Sequence, residues 1–201
     1  MSWIDTISYE KATGKLKKLY DRVKGPHNNV DNIMLAHSLR PHTMTGHMAL
    51  YKNVLHNNNN TIPKWFLETI GVYVSQLNNC DYCVKHHSSG LKKLLKNNQK
   101  LNEILLNFQS HLFCKIFEDK YEKALNYSKL LTLEPASVSK KDIDILIGVG
   151  FTEGEIVEIN QVTAYFNYAN RTVLGLGVNT EGDILGLSPN NSSDENNWNH
   201  Q

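Results

Sequence analysis

Apolar residues recur at three- and four-residue intervals through nearly every segment of the chain, and the strict alternation of a half-buried strand is almost absent. A chain with that period folds by packing helices on helices, each burying one stripe against its neighbours. Leu16, Leu19, Tyr20 and Val23, opposite a Lys- and Asp-bearing face, predict a first helix over 9–24 that Gly25 and Pro26 stop. A short helix follows over 32–39, and Pro41, suited to a first turn, opens one carrying Met44, Met48, Tyr51 and Leu55. The asparagines at 57–60 break the pattern, after which Thr61 as cap and Pro63 in the first turn introduce a core helix over 65–77. A second break at Asn78 and Asn79 hands over to a helix that begins near Cys80 and runs through His87, Leu91, Leu94 and Leu95. Further helices are expected over 101–108, 117–133 and 139–149, the last with Ser139 and Asp142 as a capping box. Thr152 and Glu155 form a clearer box, opening a helix that ends near Leu174 at Gly175 and Gly177. From Asn179 the period is lost, and Ile184, Leu185, Leu187 and Trp198 are isolated anchors that either dock on the body or fray with the terminus. The expectation is one all-α domain over 1–178, with its core motif within 61–98, and an irregular tail over 179–201. An echo between 49–64 and 124–140, at a period of about 75 residues, suits a duplicated helical unit.

With 40% hydrophobic residues, 201 positions suffice for one sizeable core. A formal charge of +1 gives no electrostatic case for nucleic acid. No apolar run approaches the roughly 18 residues of a membrane span. The start, Met1-Ser2-Trp3-Ile4-Asp5, has no export or transit pattern, so a reducing, cytoplasmic setting is the default expectation. Three cysteines are too few for a disulfide scaffold, which turns attention to redox or metal chemistry at the closely spaced pair.

That pair lies in Glu68-x11-Cys80-x2-Cys83-x3-His87. Cys80 falls at the expected N-terminus of a helix, where unpaired N–H groups and the helix dipole favour a thiolate. His87 lies one turn beyond Cys83, so an adjacent base favours Cys83 instead. Residue chemistry alone leaves the two roles open. Glu68 belongs to a polar stripe with Lys64, Gly71, Ser75 and Asn78, which faces either solvent or the cysteine turn; in the second case Glu68 orients His87. Cys114, beside Leu112 and Phe113, is expected to be a buried small hydrophobe. Met34, Met44 and Met48 read as core fillers, and His37, His42 and His47, spaced at fives, do not share a helix face. Asn170-Arg171-Thr172 matches a glycosylation acceptor but falls within an expected helix.

The pattern from Glu68 to His87 resembles the signature of the alkylhydroperoxidase D-like (AhpD-like) branch of the carboxymuconolactone decarboxylase superfamily. The opening Met1-Ser2-Trp3-Ile4, the block 32–51 (NIMLAHSLRPHTMTGHMALY), the block 83–87 (CVKHH) and Leu185-Gly186-Leu187-Ser188-Pro189 resemble its peroxidase-related enzymes. The resemblance implies an AhpD-like multi-helix bundle acting as a thiol-dependent hydroperoxide reductase. In it Cys83 attacks, Cys80 resolves, and Glu68 and His87 relay protons. It also implies no bound cofactor, an external dithiol or a thioredoxin- or lipoyl-type reductant protein, and a homo-oligomer. The best-known members carry a histidine immediately before the second cysteine, where this chain has Tyr82. His86 is a candidate substitute, but adjacent helical residues point about 100° apart, so His86 is expected to face outward if His87 faces Cys83. Competing readings are a zinc site and a scaffold with vestigial thiols. For zinc, Cys80, Cys83 and His86 or His87 would be joined by Cys114, His111 or His47, but no second close ligand pair announces such a site, and no metal is assigned. Ring-lactone decarboxylation is disfavoured because superfamily members with that chemistry generally lack the CxxC pair.

Overall fold

The structure is a computed structural model describing residues 2–110, 113–194 and 196–200. Its helices are α1 (Gly14–Val23), α2 (Asn32–Ala36), α3 (Pro41–Leu55), α4 (Lys64–Leu77), α5 (Asp81–Leu95), α6 (Asn98–Ser110), α7 (Asp119–Leu133), α8 (Lys140–Gly148) and α9 (Glu153–Leu176). Among the described residues the only strand-like pairing is one isolated bridge between Pro189 and His200. The fold is therefore all-α, as the hydrophobic period requires. The succession α3–α4 and α7–α8 is consistent with the internal echo, though it does not establish duplication. No helix among the described residues is long and apolar enough to cross a membrane.

Helix α4 is the axis of the molecule, with every residue from Phe66 to Ser75 buried and α5, α7 and α9 packed around it. At its C-terminus the chain makes a Schellman turn. Asn79 N–H bonds the Gln76 carbonyl at 3.0 Å and Cys80 N–H bonds that of Ser75 at 2.8 Å. Asn79 takes the left-handed conformation, φ +54°, that this turn requires. Cys80 thus ends the capping of α4 and is itself the N-cap residue of α5.

Two helix starts differ from the sequence expectation. Helix α1 begins at Gly14 rather than near Tyr9, because Gly14 is itself in a left-handed conformation and separates a Ser8-centred turn from the helix. Helix α4 takes Pro63, not Thr61, as its N-cap residue. The amides of Thr61 and Ile62 are held by the Glu158 carboxylate of α9 at 2.8 Å, which keeps that segment outside the helix. The Thr152–Glu155 box is formed, with N–H to side-chain bonds of 2.8 and 3.2 Å, and Gly177 caps α9.

Residues 179–194 and 196–200 run as an irregular strap back over α1, α3 and α5. Arg22 lies 3.6 Å over the buried Trp198 ring. The buried Lys52 ammonium donates to the Asn190 carbonyl and to Ser192 Oγ. Gly186 presses so closely on Ser89 that a Cβ there would stand 2.6 Å from its hydroxyl. Of the four apolar anchors, Leu187 and Trp198 dock against the body, whereas Ile184 and Leu185 are exposed.

Candidate active site

The Schellman turn brings both cysteines of the motif beneath α9. Cys80 and Cys83 are buried free thiols. Asn170 of α9 is fully buried beside them, accepting from Asn78 at 2.9 Å and donating to Ser75 Oγ at 3.0 Å. The Cys83 S–H donating to Cys80 lowers the Cys80 thiol below its ordinary range against the opposing effect of burial. The same bond, with burial, pushes Cys83 well up, while hydrogen bonding by Asn170 and Ser75 acts in the other direction. In the resting dithiol the negative charge therefore belongs on Cys80, at the N-terminus of α5.

The polar stripe of α4 is buried, not solvated, at its centre: Glu68 and Ser75 are 3% and 0% exposed. Glu68 Oε2 lies 2.8 Å from His87 Nδ1. The Phe166 ring packs edge-on to His87, with centroids 4.6 Å apart. Phe166 approaches so closely because α4 has glycine at 71, where a Cβ would stand 2.2 Å from the ring.

His86, expected outward, faces inward and is 8% exposed. Positions three and four beyond Cys83 lie on either side of it, at roughly −60° and +40° around the helix, so both histidines can flank one cysteine. The strap then covers His86 and supplies its partner: Asp183 Oδ2 lies 3.1 Å from His86 Nε2. The same oxygen accepts from Tyr82 Oη at 2.8 Å, and the other carboxylate oxygen from the Asn32 amide at 3.0 Å. Tyr82 is thus buried and tied to a carboxylate, which with desolvation raises its phenol well above the ordinary range.

Cys83, Glu68, His86 and His87 line one cavity of about 40 Å³, closed by Tyr51 and Tyr165 and by Leu187 and His200 of the strap. Cys80 does not reach it. Cys80 lines a separate, larger groove of about 380 Å³ together with Tyr73, Leu77, Val84 and Phe108. The two sulfurs, neighbours in the turn, therefore look onto different spaces.

Cys114, expected buried, is exposed, because the neighbouring Phe113 takes the inward position against Tyr73, with ring centroids 5.1 Å apart. His111 and Leu112 lie outside the described residues. His47 reaches the cavity wall, with its ring centroid 5.2 Å from that of His37, whereas Cys114 lies elsewhere on the surface. Among the described residues no three His, Cys, Asp or Glu side chains are grouped so as to hold a metal ion. Asn170 and Asp183 belong to the site although no sequence motif marks them for it. The only signals were Asn170 on the inner face of an amphipathic helix and Asp183 two positions before the 185–189 block.

Residues 41–110 match the model of the carboxymuconolactone decarboxylase family. No curated protein sequence matches the chain significantly. Among solved structures, an uncharacterized peroxidase-related protein with an AhpD core from Ralstonia eutropha JMP134 is 20% identical. Its match covers 89% of this chain and 92% of that one, with a TM-score of 0.76. A peroxidase-related protein from Silicibacter sp. TM1040 is 21% identical over 90% of each chain, with a TM-score of 0.72. The debrominase Bmp8 is 18% identical over 82% of this chain and 85% of its own, with a TM-score of 0.66. At these identities the likenesses establish the fold. The chain therefore has the fold of these AhpD-like, peroxidase-related structures, and its α3–α6 segment carries a match to the carboxymuconolactone decarboxylase family model.

Proposed function

We propose that the chain is a thiol-dependent hydroperoxide reductase in which Cys83 attacks the peroxide and Cys80 resolves the product. The observation that carries this reading is that Cys83 shares a small cavity with a hydrogen-bonded carboxylate–imidazole pair. With His87 Nδ1–H donated to Glu68, Nε2 is free to take the Cys83 proton. This removes the bias of the resting pair toward charge on Cys80, which has no access to the cavity. The thiolate attacks one peroxide oxygen: an S–O bond forms, the O–O bond breaks, and the departing oxygen leaves as alcohol or water once protonated. Cys80 then attacks the Cys83 sulfenic acid, forming the disulfide and releasing water. An external dithiol, free or on a thioredoxin- or lipoyl-type protein, restores both thiols by exchange. The groove beside Cys80 supports entry of that reductant from the side opposite the peroxide. No cofactor enters the cycle. A reducing, cytoplasmic compartment suits this resting state.

Size narrows the substrate. A cavity of about 150 Å³ holds benzene, so about 40 Å³ suits hydrogen peroxide or a short-chain hydroperoxide. The strap belongs to the working unit with the domain of 1–178, since its Leu187 and His200 line the cavity. Exposed Leu106, Leu133, Ile145 and Val157 support a homo-oligomer with further apolar surface buried between copies.

The test is stopped-flow reaction of reduced wild type, Cys80→Ser and Cys83→Ser with hydrogen peroxide and larger hydroperoxides, read by sulfenic acid trapping. The expected result is a trapped sulfenic acid in Cys80→Ser, none in Cys83→Ser, and rates that fall with peroxide size. Unchanged dithiol-driven peroxide consumption in the double Cys→Ser variant would overturn the proposal.

A further inference from the structure

We infer that His86, held by Asp183 of the C-terminal strap, is a second acid–base residue that protonates the departing oxygen while His87 takes the thiol proton. This rests on the proposed peroxide chemistry and divides its proton transfers between two histidines. Cys83 is flanked one turn on by both, and each has its own buried carboxylate from a different element: Glu68 of α4 at 2.8 Å and Asp183 of the strap at 3.1 Å. Both histidines line the cavity. A reaction that removes a proton at sulfur and delivers one at oxygen is served by an acid and a base in unlike surroundings.

The surroundings are unlike. His87 meets one carboxylate and an aromatic wall of Phe166 and Tyr51. His86 meets Asp183 and Tyr82, with Asp31 from the start of α2 and His200 of the strap acting on it through space. Burial pushes the Asp31 carboxyl up to about 7, with His86 pulling it down and Asp183 raising it again. His200 is pushed down to about 4, mainly by burial, and stays neutral near pH 7. Asp31 thus holds an exchangeable proton near neutral pH on the cavity wall that it shares with His86. Tyr82 does not titrate; its hydroxyl fixes Asp183, making Tyr82 and Asp183 positioning residues.

The step balances as follows. The Cys83 thiol proton passes to His87, sulfur bonds the attacked oxygen, and the O–O electron pair leaves on the other oxygen. His86 delivers its proton there and is recharged from Asp31, and Asp31 regains a proton from solvent as His87 returns its own to solvent. The sum is one thiol and one hydroperoxide giving one sulfenic acid and one alcohol, or water when the substrate is hydrogen peroxide.

Two reactions of the full-length reduced protein separate the roles. Peroxide attack needs a proton on the leaving oxygen; alkylation of Cys83 by iodoacetamide expels iodide and needs none. His86→Gln, which keeps a donor for Asp183, is expected to slow single-turnover reaction with hydrogen peroxide about 100-fold. It should also remove the fall of that rate above about pH 7, while alkylation changes by less than about threefold. His87→Gln is expected to slow both reactions. Asp31→Asn should move the alkaline limb without altering alkylation. A His86→Gln effect equal in both reactions would assign His86 a purely structural role and overturn the inference, as would no effect in either. Wild-type protein inert to peroxide overturns the proposed function itself and the inference with it.

Discussion

Gly71 is where helix packing and site geometry meet in a single residue. The Phe166 ring fills the space a Cβ would occupy, 2.2 Å from its ideal position, and its far side supports His87. The ring cannot retreat, being fully buried and edge-packed on Tyr165 at 5.2 Å between centroids. Gly71→Ala therefore has to push Phe166 toward His87. Overpacking of this kind costs about 1–3 kcal/mol, a fall in Tm of several degrees for a chain of this size. The expected outcome is that fall together with slower peroxide reaction, and Phe166→Leu added to Gly71→Ala should recover part of the Tm. A thermal melt of the two variants checks it; an unchanged Tm in Gly71→Ala would mean that the ring has room to move.

The turn between α4 and α5 is the element that makes the cysteine pair. Its left-handed residue is Asn79, a residue type that tolerates φ near +54°, whereas a β-branched side chain there is strained by roughly 1–2 kcal/mol. Asn79→Gly is expected to leave stability within a few tenths of a kcal/mol. Asn79→Val should lower the Tm and change the rate at which Cys80 and Cys83 close a disulfide, since Cys80 is the next residue. Melts combined with thiol quantification after timed oxidation read both effects; equal behaviour of the two variants would show that the turn does not set cysteine geometry. Elements of this sort were legible in sequence, because Asn78 and Asn79 interrupt a period that resumes at Cys80. Starts were misread where a distant group decides them, as the Glu158 carboxylate does for Thr61 and Ile62. The Glu68–His87 contact was legible as one of two orientations of a stripe. His86 was misjudged because its direction was referred to His87, although Cys83 sits between the two. Its partner Asp183 lies in a strap without periodicity, where only three-dimensional closure reveals what each residue meets.

At the scale of the whole molecule, the cavity wall and the core around it hold several histidines that folding keeps uncharged. Burial pushes His47 down to about 3 and His200 to about 4, and depresses His56 and His37 as well. The buried nitrogens His37 Nε2, His47 Nδ1 and His56 Nε2 have no hydrogen-bond partner among the described residues, so little would compensate a charge there. In the unfolded chain these imidazoles take a proton near pH 6.5; in the folded one they do not until far lower. Between pH 6.5 and about 4 the unfolded state therefore binds more protons at these sites, and stability falls with acidification. Asp31 opposes this, because its folded carboxyl stays protonated up to about 7 while the unfolded one ionises near 3.8, favouring folding as pH falls. His47 and His200 against Asp31 leave a net excess of about one proton in the unfolded state, a loss of about 1.4 kcal/mol per pH unit, to which His56 and His37 add. Denaturant unfolding of the full chain between pH 4 and 7 should show stability rising with pH at that slope or more. His47→Phe should reduce the slope by about one proton. A flat or inverted profile would mean that these imidazoles reach solvent or find partners, and that the strap does not close the cavity as tightly as its contacts require.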